Sequence, residues 1–409
     1  MIQTIDGQRA ADTNIGLLLG LQADLIAATR LWATGKPADN VTPLRHQAIC
    51  LNHRRYADLI PVYHQFAESV DLLGDVDLDL VINELMFTDD LFKSYDPALL
   101  DNQDFSAMNA WLSNICTQEI SFETSAIHNV NEWRGHLKTA GIFLSYSSGT
   151  KGNMSFIPRD PMTFTALRKN SSYYANPNSI IQVDGKTPAY DCLIAGPRGE
   201  GMGIQGAAAG LAAMATNSHY LYDHAINEDD VKNATTAKVS AKDEISAVED
   251  AIRFVRSASA DKRPVLVFGA PFQLRRLCEQ LTKMQTRLHT PSGSTVVTGG
   301  GWKSFQGEKI PQRELVAMID HCFGISAAHF IDTYSTAELN CAMTICAEGR
   351  YHIPPLIEPV VLDESLLGEA GATGFGTLGF LDPFSMSFPG YLITGDVGNL
   401  GNGKCSCGL

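Results

Sequence analysis

The chain has 409 residues, 44% hydrophobic and 19% charged, enough to bury a full core and to form one large or two medium domains. A formal charge of -14 would repel a phosphate backbone, and no Lys/Arg stripe reverses that field locally, so nucleic acid is not an expected partner, whereas a small anionic nucleotide in a local pocket is compatible. The apolar run Ile15 to Leu21 is broken by Gln22 and Asp24 and follows no basic segment; neither a signal peptide nor a membrane span is expected, and the expected location is the cytoplasm.

From Asn14 to about Asp71 the apolar residues recur at helical spacing with a break at Pro37 and Pro43, which predicts two helices. A mixed segment around Met86 to Tyr95 follows, then helical patterns near Phe105 to Cys116 and Asn129 to Lys138, and a short buried strand over Gly141 to Tyr146. Beyond it, strands are predicted at Asp191 to Ala195, His219 to Tyr222, Pro264 to Phe268, Thr295 to Val297 and Ala328 to Asp332, separated by helical stretches such as Glu244 to Val255 and Phe272 to Met284. That alternation predicts an α/β fold with a largely parallel sheet, in which ligands gather at the carboxyl ends of the strands. Leu356 to Leu409, rich in Gly and Pro, reads as β-hairpins or a small barrel-like unit. The expected organisation is a helical N-terminal layer over residues 1–100, an α/β nucleotide-binding core over 101–355 and a β-rich subdomain over 356–409.

Nine cysteines are an odd count and most lie in apolar segments, which fits buried reduced thiols rather than a disulfide framework. Only Cys405 and Cys407 stand in a Gly-rich polar setting.

The sharpest local signal is Ser145-Tyr-Ser-Ser-Gly-Thr-Lys-Gly-Asn-Met-Ser155, directly after a buried strand. Such a loop can offer backbone N–H groups, hydroxyls and one ammonium to phosphate oxygens, with Ser147, Ser148, Gly149, Thr150 and Lys151 as the candidate groups. It lacks the spaced glycine of a Walker A loop, and a solvated surface turn is the alternative reading.

Two later segments resemble the remaining nucleotide-site motifs of the adenylate-forming superfamily, which includes acyl-CoA synthetases. Asp332-Thr-Tyr-Ser-Thr-Ala-Glu338 is similar to its YGxTE motif, and Tyr391-Leu-Ile-Thr-Gly-Asp396 to its TGD motif. The resemblance implies that Tyr334 stacks on adenine, that Glu338 holds Mg²⁺ and that Asp396 takes the ribose hydroxyls. Ser335 and Ala337 depart from the motif, so the hydroxyl that often reaches the α-phosphate is missing or must come from Thr336. Within the superfamily, Thr298-Gly-Gly-Gly-Trp-Lys303 resembles the GGGWK segment of acyl-protein synthetases of the luminescence type, where the glycines, here Gly299, Gly300 and Gly301, let the backbone approach adenine. Phe87 to Tyr95 also looks like the region preceding the core in those proteins and in phenylacetate-CoA ligases. The resemblance covers roughly residues 85–409.

The implied activity is ATP-dependent activation of a carboxylic acid, a long-chain fatty acid by the same resemblance, to its acyl-AMP. Attack of a carboxylate on the α-phosphate brings two anions together, so positive charge and alignment must lower the barrier, alignment alone by up to about 7–11 kcal/mol. Lys151 and a Mg²⁺ on Glu338 would neutralise the phosphates. In acyl-protein synthetases the acyl group then passes to a cysteine near the C-terminus before a reductase takes it, which makes Cys405 and Cys407 the candidate nucleophiles and an acyl reductase or acyl carrier the implied partner. The alternative reading of Lys404 to Gly408 is the structural CxCG turn of phenylacetate-CoA ligases. Relatives continue into a small mobile lid, so the sequence is expected to lack one.

Three other readings stay open: an acyl- or aryl-CoA ligase, a non-catalytic nucleotide-binding homologue, and a dinucleotide-binding protein. The last rests on Gly201-Met-Gly-Ile-Gln-Gly206, a GxGxxG match after the strand at Asp191 to Ala195, with Asp223 about twenty residues on.

Overall fold

In the computed structural model of the chain the described residues are 2–33, 36, 40–147, 153–173, 190–199, 201, 203–223, 241–302, 309–346, 348–401, 403 and 405–407. Four helices open it: α1 (Ile2–Trp32), α2 (Val41–Leu59), α3 (Pro61–Ser69) and α4 (Leu78–Glu84). The second expected helix is thus two, because Pro61 has no N–H to continue α2 and instead starts α3, where that N–H would lack an intrahelical partner. Pro43 sits inside the first turn of α2 for the same reason. Asp77 caps α4 by accepting from the Leu80 amide at 2.9 Å.

A two-residue strand β1 (Phe87–Thr88) leads to a 3₁₀ turn and then to the helices α5 (Ala98–Asp101), α6 (Phe105–Ile115) and α7 (Val130–Thr139). The strands β2 (Phe143–Ser147) and β3 (Ser155–Arg159) form an antiparallel hairpin, followed by helix α8 (Pro161–Tyr173). The alternating part then runs β4 (Asp191–Pro197), α9 (Gly203–Met214), β5 (Asn217–Tyr222), α10 (Ala241–Ala260), β6 (Val265–Gly269), α11 (Pro271–Lys283), β7 (Thr295–Thr298), α12 (Gln312–Phe323) and β8 (Phe330–Tyr334). Short strands β9 (Met343–Ile345) and β10 (Tyr351–His352) follow, and then β11 (Glu358–Leu362), β12 (Gly374–Leu381) and β13 (Tyr391–Leu400).

The large sheet has seven strands in the order β10-β9-β8-β7-β6-β4-β5, parallel from β5 to β8 and antiparallel at β9 and β10. Strands β6 and β7 are buried along their whole length, as expected of strands covered on both faces. Their alternation divides two cores: Val265 and Val267 pack with Val248, Leu274 and Leu315 of α10, α11 and α12, while Leu266 and Phe268 pack with Ala208 and Leu211 of α9. This is the expected α/β fold with a largely parallel sheet. The last predicted strand lies two residues later than expected, since Ala327–His329 form a 3₁₀ turn instead.

The second sheet, β1-β13-β12-β11, is an antiparallel meander over residues 358–400 with β1 added in parallel on β13. The N-terminal helices cover it: Tyr56, Tyr63, Val81 and Leu85 share a core with Val360, Leu381 and Tyr391. Tyr391 donates to the Ile49 carbonyl at 2.6 Å, and Asn52 donates to the Pro383 carbonyl at 2.9 Å.

By length and composition Asn14–Trp32 of α1, with mean hydropathy 1.3, is long and apolar enough to cross a membrane. The apolar stretch thus continues past Asp24, and the core helix of a folded domain passes the same test. A stripe of it is used in packing: Leu18, Leu21 and Leu25 are buried with Met343, Phe380 and Leu392.

Candidate nucleotide site

Three of the motifs picked from the sequence, those at Thr298 to Gly301, Asp332 to Glu338 and Tyr391 to Asp396, meet near the carboxyl ends of β7 and β8. Strand β7 runs parallel to β8, with Thr298 opposite Asp332, and hands over directly to Gly299, Gly300 and Gly301. All three glycines are required there. A Cβ on Gly299 would lie 2.4 Å from the Thr333 hydroxyl, which is fixed because it donates to the Thr298 carbonyl at 2.8 Å. Gly300 and Gly301 turn the chain through left-handed backbone, φ 75° and 56°. Gly301 has no atom within 4 Å of where a side chain would begin, so the turn faces open space. Among the described residues the buried Thr298 hydroxyl has no hydrogen-bond partner.

Tyr334 closes β8, and its phenol donates to the Asp396 carboxylate of β13 at 2.7 Å. Burial, with Asp396 alongside, pushes the phenol well above its ordinary range, so it stays a donor at all working pH values. The Tyr334 ring lies 6.0 Å from Tyr351 and 6.3 Å from Phe380, centre to centre. Tyr351 donates in turn to Asp332 at 2.7 Å.

Thr336 and Glu338 lie in the loop from β8 to β9. Glu338 is buried, and burial raises its carboxyl above the ordinary range against the opposing pull of the Thr336 hydroxyl and the Arg159 charge. Beneath this loop lies a polar network that sequence reasoning missed. Arg159, wholly buried at the end of β3, donates to the Ala337 carbonyl at 2.6 Å and to the Asn340 side-chain oxygen at 2.9 Å. The Asn340 amide and side chain both donate to Asp382, at 2.8 and 3.0 Å. Burial lowers Arg159 to about 10, which leaves it cationic at neutral pH. No local motif marks these three residues; the only available signal is a charged pair, Arg159 and Asp160, at the end of an apolar run.

Ser147 ends β2 opposite Ser155, so the two strands bracket the expected phosphate loop. Ser148, Gly149, Thr150 and Lys151 lie outside the described residues. The Tyr146 amide donates to the Gly201 carbonyl at 2.6 Å, which places the start of α9 against β2. A Cβ on Gly203 would come within 3.6 Å of Ala337, so the same helix end also meets the Glu338 loop.

The Gly201 to Gly206 segment is better explained by packing than by a dinucleotide. A Cβ on Gly206 would touch Leu167, and one on Gly210 would lie 2.2 Å from the Arg168 carbonyl, so these glycines let α9 close on α8. Asp223 is engaged by Arg198 in an ion pair.

The residues present fit a nucleotide: an open glycine turn, an unpartnered hydroxyl at the strand end, an aromatic ring and a carboxylate held by it. One buried carboxylate, Glu338, is placed where a cation would reverse the burial penalty on its charge. Cys405 and Cys407 are not at this turn. They stand beside Cys346 and His352, with Cys405 Sγ 3.7 Å from Cys346 Sγ and Cys407 Sγ 3.2 Å from His352 Nε2.

Comparison with known proteins agrees with this geometry. Residues 212–409 match the family described as "Acyl-protein synthetase, LuxE", a stretch that includes the glycine turn, Tyr334 to Glu338 and Asp396. The chain is 24% identical over 151 residues to the long-chain-fatty-acid–luciferin-component ligase of Aliivibrio fischeri, covering 37% of this chain and 40% of that one. It is also 24% identical over 164 residues to the ligase of the same name from Vibrio harveyi, covering 40% and 43%. The match thus spans about two fifths of each curated relative. Among solved structures, a 2-hydroxyisobutyryl-CoA ligase in an open conformation, in complex with 2-HIB-AMP and CoA, superposes with a TM-score of 0.51 at 13% identity, over 91% of this chain and 76% of that one. The chain is therefore similar to the acyl-protein synthetases over residues 212–409, on the fold of an adenylate-forming ligase.

Proposed function

We propose that this protein activates a carboxylic acid with ATP and passes the acyl group to a thiol. In the first half-reaction an oxygen of the acid attacks the α-phosphorus, the bond to pyrophosphate breaks, and acyl-AMP forms. In the second a thiol sulfur attacks the acyl carbon, the bond to AMP oxygen breaks, and the thiol proton passes to solvent. The observation that supports this reading most is that Gly299 packs against Thr333 of β8 while Tyr334 of the same strand bonds to Asp396 of β13, which brings three of the motifs together.

The proposed roles are those that the resemblance implies for these positions. The glycine turn lets adenine approach the backbone, and Tyr334 offers its ring to the base while its hydroxyl orients Asp396 toward the ribose hydroxyls. Glu338 would hold Mg²⁺, which supplies positive charge against the phosphates; the Arg159, Asn340 and Asp382 network fixes the backbone on which Glu338 and Thr336 stand. Ser147 to Lys151 would cradle the leaving pyrophosphate. The acid is proposed to be a long-chain fatty acid, as in the names of the curated relatives. The acceptor is either Cys405 or Cys407 or a free thiol, and an acyl reductase or acyl carrier would take the product.

Acid-dependent ATP–pyrophosphate exchange across fatty and aryl acids tests the reading. Exchange with wild type that is lost in Glu338→Ala and Lys151→Ala supports it; ATP binding without exchange for any acid would leave a binding homologue. Intact-mass measurement after turnover identifies the acceptor as a protein cysteine or a free thiol.

A further inference from the structure

Outside the nucleotide site, four groups with strong affinity for soft metals are gathered from two distant parts of the chain. The donor atoms of Cys346, His352, Cys405 and Cys407 all lie within 4.8 Å of one another. Cys346 directly follows β9 and His352 ends β10, and the turn between them is closed by the Cys346 amide donating to the Arg350 carbonyl at 2.9 Å. Cys405 and Cys407 come from the segment after β13, a separation of 59 residues between the two sulfurs that stand 3.7 Å apart.

We propose that these four residues bind one Zn²⁺ in a closed tetrahedral site of three thiolates and one imidazole. Zinc takes sulfur at about 2.3 Å and imidazole nitrogen at about 2.0–2.1 Å, so tetrahedral geometry sets sulfurs about 3.8 Å apart and sulfur to nitrogen about 3.5 Å. The two separations, 3.7 Å between Cys346 and Cys405 and 3.2 Å between Cys407 and His352, are close to that and far from the length of a disulfide. The donor set is soft and mixed S and N, which selects zinc over magnesium or calcium. Binding releases three thiol protons to solvent and leaves a net charge of minus one on the centre; Arg350, close enough to act on both Cys405 and His352, offsets it. All four positions are taken by protein, so the centre is structural and has no open position for substrate.

The placement gives the metal a task. Strand β10 has two residues and an exposed Tyr351, and among the described residues no strand follows β13. A metal across them would fasten the β9–β10 edge of the large sheet to the strand bearing Asp396. Tyr351 neighbours the Tyr334 ring, so the centre steadies both halves of the Tyr334 to Asp396 contact. It also removes Cys405 and Cys407 as acyl acceptors, because zinc thiolates in a closed site are shielded from the acyl-AMP; the acyl group then leaves on a free thiol.

The test is metal analysis of the full chain purified without chelator. One zinc per chain is expected, falling to none in Cys346→Ser and Cys407→Ser and unchanged in Cys50→Ser. Should the serine variants fail to fold, exchange of wild type with cobalt decides: a tetrahedral thiolate site gives intense visible absorption and sulfur-to-cobalt charge transfer. Alkylation should spare Cys346, Cys405 and Cys407 until a chelator is added. A chain that takes up neither zinc nor cobalt, or a Cys346 to Cys405 disulfide in peptide mapping, would overturn the proposal.

Discussion

The Tyr334 phenol donates a 2.7 Å hydrogen bond to the Asp396 carboxylate, and this bond joins the last parallel strand of the seven-stranded sheet to the longest strand of the four-stranded one. Sixty-two residues of sequence separate the two groups, so the bond ties the two sheets together at the proposed nucleotide site, beside the Tyr334 to Phe380 ring contact. Tyr334→Phe keeps the ring and removes the bond. A net hydrogen bond of about 0.5–1.5 kcal/mol predicts a rise of about 2- to 10-fold in KM for ATP with kcat little changed. Asp396→Ala should cost more, since it would also remove the proposed ribose contact; steady-state kinetics on both variants separate the two effects.

Glu338 is buried with its carboxyl raised by that burial. A raised carboxyl destabilises the fold when ionised, and the penalty is present above the folded pKa and vanishes as pH falls below the unfolded value. Glu338→Gln should therefore leave the melting temperature at neutral pH unchanged or higher while abolishing exchange. A variant that loses both stability and activity would assign Glu338 to structure alone.

Arg159 is the opposite case. Its guanidinium satisfies the Ala337 carbonyl and Asn340 from a fully buried position, and removing it takes away a cation that acts on both Glu338 and Asp382. Breaking such a network costs about 3–5 kcal/mol, so Arg159→Met should lower the melting temperature and the yield of folded protein. Arg159→Lys should rescue little, because an ammonium cannot donate along two fixed directions. Thermal unfolding followed by circular dichroism measures both.

The glycine turn predicts a graded series. Gly299→Ala drives a methyl into the Thr333 hydroxyl, Gly300→Ala places a side chain at φ 75°, and Gly301→Ala meets the same backbone cost with open space around it. A left-handed alanine costs about 1–2 kcal/mol, so the latter two should weaken ATP binding modestly and Gly299→Ala most. Equilibrium binding of ATP orders them.

Glu358 sets an acid limb on stability. Burial opposes its ionisation, but hydrogen bonds from His46 and Arg45 and their charges outweigh it and hold the carboxyl below its ordinary range. A depressed carboxyl contributes stability above its unfolded pKa, near 4.3, that is lost as pH falls through the folded value. Glu358→Gln should lower the melting temperature at pH 7 and flatten its fall on acidification.

Much of the fold was legible because its strands and helices announce themselves by period: β4 to β7 and the helices α10 and α11 follow from short apolar runs between amphipathic stretches. The short strands were not. Phe87–Thr88 and Tyr351–His352 have two residues each, too few for any alternation to show, and they are strands only because β13 and β9 pair with them. The same holds for the site. Gly299 to Gly301, Tyr334, Glu338 and Asp396 are the candidates that local motifs single out, since each motif is a short contiguous run of sequence. Arg159, Asn340 and Asp382 do their work across more than 40 residues of sequence each, and Cys346 and His352 gain meaning only from Cys405 and Cys407.

The contacts between the N-terminal helices and the C-terminal meander have a consequence for synthesis. Ile49, Asn52 and Tyr56 meet their partners Tyr391, Pro383 and Ser385 more than 320 residues later. While the ribosome makes the intervening chain, the buried faces of α2 and α3 and the Tyr56 and Tyr63 rings stay without their cover. Final docking must wait until β13 has left the exit tunnel, which makes the closing step slow and leaves a long interval in which apolar helices are open to chaperones or to one another.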